Sequence, residues 1–277
     1  MSLVFAGACS HAPGITGRAH LADSTLKDAL HAALHALGAD LRASRPDALV
    51  LIAAEHFANF FMDNMPAYAI GMADAYEGPI EDPGWLGIAK TRIPGNAQLS
   101  QRLIREVMNT CDAAYAEEWK FDHGLMVPLH FLTPRMQIPI VPMFINGLCP
   151  PLPGARRCYA LGEMVRAAVK EWPRNLRVAV LASGSFSLEI GGPKVPHDSI
   201  AGTPDQEWTR RVQHLLAHAQ INELLEEATA ARMQRAGNIG GELLNWIAML
   251  GVIGERKPRF IEPEIEHGRC YGAWRWD

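Results

Sequence analysis

The chain has 277 residues, of which 48% are hydrophobic and 20% charged, and its mean hydropathy is -0.03. That balance excludes a disordered chain, a collagen-like repeat and a membrane channel. Twenty-six basic against 30 acidic residues give a net charge of -4, so no basic field exists to neutralise the phosphates of a nucleic acid.

A continuous apolar run over 3–8 (LVFAGA) predicts a first buried strand. No basic segment precedes it, as a signal peptide would require. Residues 21–43 place Leu26, Leu30, Ala33, Leu34, Leu37 and Leu41 three and four apart, the spacing of an amphipathic helix. Runs over 48–54 (ALVLIAA), 139–145 (PIVPMFI) and 176–182 (LRVAVLA) predict three more strands. Helical patterns lie at 97–109, 155–171, 205–218, 221–234 and 242–250. Unbroken apolar runs, rather than alternating ones, suit a sheet covered on both faces. Strand alternating with helix predicts an α/β fold, with one domain over 1–277 and a central, largely buried mixed sheet flanked by helices. The active site is then expected at the strand carboxyl ends. Pro and Gly cluster at 64–95, 146–154 and 191–204, which read as long loops. No stretch approaches eighteen uncharged apolar residues, so no membrane span is expected. The five cysteines are scattered without a CxxC spacing, which argues against a disulfide framework or a cysteine zinc site and suits a reducing cytoplasm.

Eleven histidines are the one unusual count. His11 ends the first strand within CSHAPG, and His56 ends the second within AAEHF. On neighbouring strands the two imidazoles could share a metal; alternatively each could cap a strand end by hydrogen bonding. Glu242, in NIGGELLNW, follows two glycines that bring the backbone close to a neighbour. It reads either as a third ligand or as an acidic residue complementing a helix dipole. His123, in FDHGLMVPLHF, is a fourth candidate, and Asp122 either supports the site or caps the turn before Gly124. Phe57, Phe60 and Phe61 either wall an aromatic pocket or join the core.

The CSHAPG turn, the EHF strand end, the DHG-x-x-VPL segment and the GGE-L-x-NW helix start occur in one order from residue 3 to about residue 250. Together they resemble the class III (LigB-type) extradiol ring-cleaving dioxygenases, of the protocatechuate 4,5-dioxygenase catalytic-subunit kind. The resemblance implies a single non-haem Fe(II) held by His11, His56 and Glu242, with His123 contacting substrate or the oxygen intermediate. Two imidazoles and one carboxylate on one face of Fe(II) leave positions for a catechol and O2. The protein must add an acid and a base with pKa near neutrality, which histidine supplies.

One departure stands out. The family carries a further acid/base histidine in a segment resembling SGGLSH, whereas residues 183–188 here read SGSFSL, and Leu188 cannot transfer a proton. Either another group takes the role (His123 first, then Glu189 or His197), or the substrate needs less help, or ring cleavage is lost. His197 and Lys194 sit in a loop long enough to fold over the pocket; each reads either as a solvated loop residue or as part of the site, with Lys194 as a partner for a substrate carboxylate. His130 reads as packing, and His20, His31, His35, His214, His218 and His267 are assigned nothing. The expected function is an Fe(II)-dependent extradiol dioxygenase acting on a catechol, gallate, aminophenol or hydroxylated heterocycle. The alternatives are a zinc hydrolase on the same ligands and a non-catalytic scaffold. The expected partners are the aromatic substrate and O2, with no nucleic acid or membrane. The resemblance also implies either a homodimer or pairing with a separate small helical subunit.

Overall fold

Each of the four apolar runs becomes a strand at the centre of one sheet. The computed structural model describes residues 2–17, 24–171, 175–191, 195 and 202–275. The chain opens with β1 (Ser2–Cys9), α1 (Ser24–Ala43), β2 (Ala48–Ala53), β3 (Tyr68–Gly71), β4 (Ala75–Gly78), the single turn α2 (Pro83–Leu86) and β5 (Thr91–Pro94). It continues through α3 (Ala97–Met108), β6 (Ala114–Ala116), α4 (His123–Leu132), β7 (Ile140–Ile145), α5 (Ala155–Lys170) and β8 (Arg177–Ser183). The last third holds α6 (Gln206–Ala217), α7 (Ile221–Glu227), α8 (Ala230–Arg235), α9 (Leu243–Ile253), β9 (Phe260–Glu264) and β10 (Arg269–Arg275).

The main sheet has the order β6-β3-β7-β2-β8-β1-β10-β9, and β4 and β5 form a separate hairpin. The four central strands β7, β2, β8 and β1 are mutually parallel, while β3, β10 and β9 add antiparallel partners. The sheet is therefore mixed, as expected, and its carboxyl edge gathers the ends of four strands.

Burial explains the unbroken apolar runs. On β2, Val50 and Ile52 face a core shared with α3, α5, α6 and α9, while Leu49, Leu51 and Ala53 face a second core under α1 and α4. A strand covered on both sides has no solvent face to mark with polar residues. On α1, Leu30, Leu34, Leu37 and Leu41 are buried, as the three-and-four spacing predicts. Among the described residues no helix is long and apolar enough to cross a membrane.

Three expectations are corrected. The 64–95 loop holds β3, the β4–β5 hairpin and α2, elements of four residues too short to leave a period. The helix over 221–234 is two helices, because Ala228 leaves helical geometry and the Thr229 side chain accepts from Arg232 N to start a new one. Most importantly, β1 and β2 are not neighbours: β8 lies between them and pairs with both.

Helix α9 is buried along its whole length and packs on α5 through two glycines. A Cβ on Gly162 would stand 1.9 Å from the Ala248 carbonyl oxygen, and one on Gly251 would stand 2.1 Å from that of Tyr159. The two backbones touch, so neither position accepts a side chain. Gly162→Ala is expected to destabilise the fold by about 3 kcal/mol through overpacking. Denaturant unfolding reads this as a lower midpoint, and an unchanged midpoint would mean that the helices separate freely.

Candidate active site

The three expected histidines and Glu242 meet above the carboxyl end of β8. His11 lies two positions beyond β1, and His56 lies three positions beyond β2. From opposite sides of β8 their rings approach to 5.1 Å between centroids. His123 begins α4 and stacks on His56, with centroids 3.9 Å apart and an interplanar angle of 29°. Its ring lies 5.6 Å from that of His11. One nitrogen of each of the three imidazoles lies within 4.8 Å of the others.

Glu242 closes the cluster from below. It ends the 3-10 turn Gly240–Glu242, and a Cβ on Gly241 would stand 2.0 Å from the Gly147 carbonyl oxygen. The paired glycines therefore do bring the backbone against a neighbour, the turn after β7. The Glu242 side chain is fully buried. Oε2 accepts a hydrogen bond from Ser185 N at 2.7 Å. Oε1 has no well-aligned hydrogen bond among the described residues, and stands at ion-pair distance, 3.0 Å from His11 Nε2 and 3.4 Å from His56 Nε2.

Each ligand-type ring is held by its other nitrogen. His56 Nδ1 and His56 N both lie 2.8 Å from Asp122 Oδ2. An ionised carboxylate only accepts, so Nδ1 carries the hydrogen and Nε2 faces the cluster. Asp122 Oδ1 accepts from Gly124 N at 3.0 Å, so this residue both supports the site and caps α4. His11 Nδ1 lies 2.9 Å from Ser183 Oγ, which donates its only hydrogen to the Gly124 carbonyl oxygen at 2.7 Å. Ser183 must then accept from His11, and Nε2 of that ring also faces inward. Outer partners that fix the tautomer in this way are the usual support of metal-binding histidines.

Charges follow the geometry. Burial pushes the Glu242 carboxyl up, but His11 and His56 outweigh it and hold the pKa at about 2. Burial pulls His56 down, but Asp122 and Glu242 outweigh that and raise it to about 10. Burial also opposes ionisation of Asp122, which His56 overcomes, holding the carboxyl well below its ordinary value. The His123 pKa is lowered by burial and by the adjacent His56.

The donor set fits a divalent cation. Two ligand atoms bound at right angles about 2.1 Å from one cation stand about 3 Å apart, the spacing seen around Glu242 Oε1. A buried carboxylate oxygen without a hydrogen bond is costly unless a positive charge meets it.

A family model described as the catalytic LigB subunit of aromatic ring-opening dioxygenase matches residues 6–274. The chain belongs to the LigB family. LigB dioxygenases are metal-dependent. Among similar proteins, a gallate dioxygenase of Pseudomonas putida is 30% identical over 172 residues, 60% of this chain and 48% of its own length. A 2,3-dihydroxyphenylpropionate/2,3-dihydroxicinnamic acid 1,2-dioxygenase of Klebsiella pneumoniae is 30% identical over 187 residues, 63% of this chain and 57% of its own length. The Escherichia coli O139:H28 protein of the same description is 33% identical over 158 residues, 56% of this chain and 47% of its own length. The chain thus spans about half the length of the curated relatives it matches. The crystal structure of an uncharacterized protein from Escherichia coli K12 shares the fold, with a TM-score of 0.61 and 16% identity over 99% of this chain and all of that one.

The described residues among the other candidates make no hydrogen bond, ion pair or ring contact with this cluster. Leu188 is buried, and its carbonyl accepts from Ile239 N. Glu189 accepts from Asn238 N at 2.9 Å. His197 and Lys194 lie outside the described residues. His130 is exposed against Phe131. Of the three phenylalanines, Phe60 packs on Trp119 and Phe144 and Phe61 is exposed. Three contributors were not foreseen. Ser183 stood in a segment weighed only for its missing histidine, the Ser185 amide carries no side-chain signal, and Glu81, which contacts His123, lies 42 positions away in sequence.

Asp122 and Glu242 both hold their protons more weakly folded than unfolded. The stability contributed by Glu242 is complete above its ordinary value of 4.5 and is lost as pH falls through about 2, and that contributed by Asp122 is lost at still lower pH. The metal-free chain is expected to lose its denaturant midpoint steeply over that window, and Glu242→Gln to show a shallower dependence. Identical pH profiles would mean that Glu242 is not held ionised by its neighbours.

Proposed function

We propose that this LigB-family protein is an extradiol ring-cleaving dioxygenase whose Fe(II) is held by His11, His56 and Glu242. The observation that carries the reading is the convergence of two Nε2 atoms on Glu242 Oε1, 3.0 and 3.4 Å away, in one buried cluster. Two neutral nitrogens and one negative oxygen form the facial set that suits non-haem Fe(II). When bound, that ion would accept the adjacent oxygens of a catechol together with O2 and allow electron density to pass between them.

The chain's own residues supply the rest. Asp122 and Ser183 orient the two ligand rings, and Ser185 N fixes the far oxygen of Glu242. His123 stacks on His56 without sharing its partners, so it is free to take a proton from a ring hydroxyl and return it later in the reaction. Its lowered pKa keeps the ring neutral and able to accept at neutral pH. Trp85, half exposed and 6.5 Å from His123 between centroids, gives the mouth of the site an aromatic side. Retention of the whole cluster argues against a scaffold, because a buried carboxylate facing two imidazoles serves no packing need.

The substrate is proposed as a catechol, gallate, aminophenol or hydroxylated heterocycle. Protein loaded anaerobically with stoichiometric Fe(II) is expected to consume O2 with at least one member of that panel and to form a yellow ring-opened product. No O2 uptake across the panel by fully loaded protein would overturn the reading. Full zinc occupancy with hydrolysis and no O2 use would favour the zinc hydrolase instead.

Two further outcomes are expected. His123→Ala should lower kcat by about 10²–10⁴-fold while iron content stays at one per chain. Wild-type turnover in that variant would remove the proton-transfer role. Because metal-free His56 is protonated at neutral pH, loading must displace that proton. Metal affinity should therefore rise about tenfold per pH unit between about 6.5 and 8.5, and a flat profile would exclude His56 as a ligand.

A further inference from the structure

We infer that Glu81 is the positioning residue for His123, fixing its Nδ1–H tautomer so that the Nε2 lone pair faces the reacting substrate. The inference rests on the dioxygenase reading of the site, and it concerns a carboxylate contributed by a different segment from the proposed ligands. Glu81 Oε1 lies 2.6 Å from His123 Nδ1 and 2.8 Å from His123 N. One oxygen therefore meets both the ring and the backbone of the same residue.

Local structure makes that double contact available. His123 is the first residue of α4, where a backbone N–H has no partner inside the helix. The N–H turns outward to Glu81 instead. The carboxylate is anchored by its own turn: Ile80 N donates to the Phe121 carbonyl oxygen at 2.8 Å, and Asp82 Oδ1 accepts from Trp85 N at 3.0 Å to start α2. Among the described residues Glu81 Oε2 is buried without a hydrogen-bond partner, and Oε1 accepts from both nitrogens of His123.

The tautomer follows from donor and acceptor roles. Burial raises the Glu81 carboxyl, but the His123 hydrogen bonds outweigh it, and the group is ionised at neutral pH. An ionised carboxylate cannot donate, so the hydrogen between the two groups belongs to Nδ1. In the neutral ring the other nitrogen then carries only a lone pair. His56 shows the same clasp, with Asp122 Oδ2 meeting both its ring and its backbone nitrogen. The two stacked imidazoles are thus presented alike, one to the proposed metal and one to the substrate. The arrangement matters more in this chain because Leu188 offers no second histidine. A neutral His123 in the opposite tautomer would present a hydrogen at Nε2 and could not accept the ring hydroxyl's proton.

The test compares Glu81→Leu with Glu81→Gln in the full chain. Glutamine keeps a carbonyl oxygen able to accept from both nitrogens, whereas leucine keeps the volume and loses the acceptor. Histidine-selective ¹⁵N spectra of the zinc-loaded protein, assigned by loss of a signal in His123→Ala, report the tautomer without reference to activity. The Nδ1–H form is expected in the wild type and in Glu81→Gln, and is expected to be lost in Glu81→Leu. In the iron-loaded enzyme, Glu81→Leu should lower kcat by about 10²-fold with KM and iron content unchanged, and Glu81→Gln should recover most of that loss. An Nε2–H wild type, a tautomer indifferent to the leucine, or a kcat loss that glutamine does not rescue would each overturn the inference. A chain inactive toward every aromatic tested but showing the expected tautomer pattern would sink the dioxygenase reading and leave the role of Glu81 standing.

Discussion

The site is organised around a fully buried carboxylate, one oxygen of which has no well-aligned hydrogen bond among the described residues. Taking an ionised carboxyl out of water costs several kcal/mol unless a charge and donors replace its hydration. Glu242 receives one donor, Ser185 N, on Oε2, and faces two imidazole nitrogens across Oε1. Much of the surrounding structure serves to hold it there. The Gly240–Glu242 turn presses on the loop after β7, and α9 continues from that turn into a helix locked on α5 by glycine contacts. The carboxylate cannot easily retreat, so the electrostatic demand is met by a cation or by protons on its neighbours. That is why His56 is strongly basic in the metal-free chain.

Sheet geometry explains why histidine is the residue at both strand ends. Adjacent strands lie about 4.8 Å apart, so β1 and β2, separated by β8, are about 10 Å apart. An imidazole reaching inward from each side narrows that gap to 5.1 Å between ring centroids. β8 supplies the floor, through Ser183 at its last position and the Ser185 amide just beyond. The sequence reading placed β1 and β2 side by side, which would have brought the two residues too close to need such reach. The intervening strand converts two separate strand-end histidines into one pocket with its own donors.

What was legible followed physical range. Continuous apolar runs marked the four parallel strands because burial on both faces leaves no alternation. The glycine pair before Glu242 signalled a close approach that the Gly147 contact bears out. Asp122 was visible as a neighbour of His123, but its grip on His56 spans 66 positions and no local pattern encodes it. Glu81 sits in EDPGW, where acidic and turn-forming residues are explained by the α2 cap alone, so its second task was hidden. β9 and β10 were missed because their run, FIEPEIEHGRCYGAWR, mixes polar and apolar residues, as befits the outer strands of a sheet edge.

Leu188 changes how the remaining residues should be read. With that position apolar and its carbonyl engaged by Ile239 N, the described residues 184–191 after β8 contribute the Ser185 amide and no histidine. Among the described residues, His123 is the imidazole at the cluster outside the proposed ligand set, and as acid and base it serves in two directions, as acceptor and as donor. Such a group works best when its unused nitrogen is held by an acceptor that does not itself compete for the proton. Glu81 meets that condition, because the hydrogen bonds it accepts from the ring and the backbone of His123 help to keep it ionised. The loss of a histidine at one strand end and the presence of a carboxylate clasp at the start of α4 are therefore two sides of one chemical requirement.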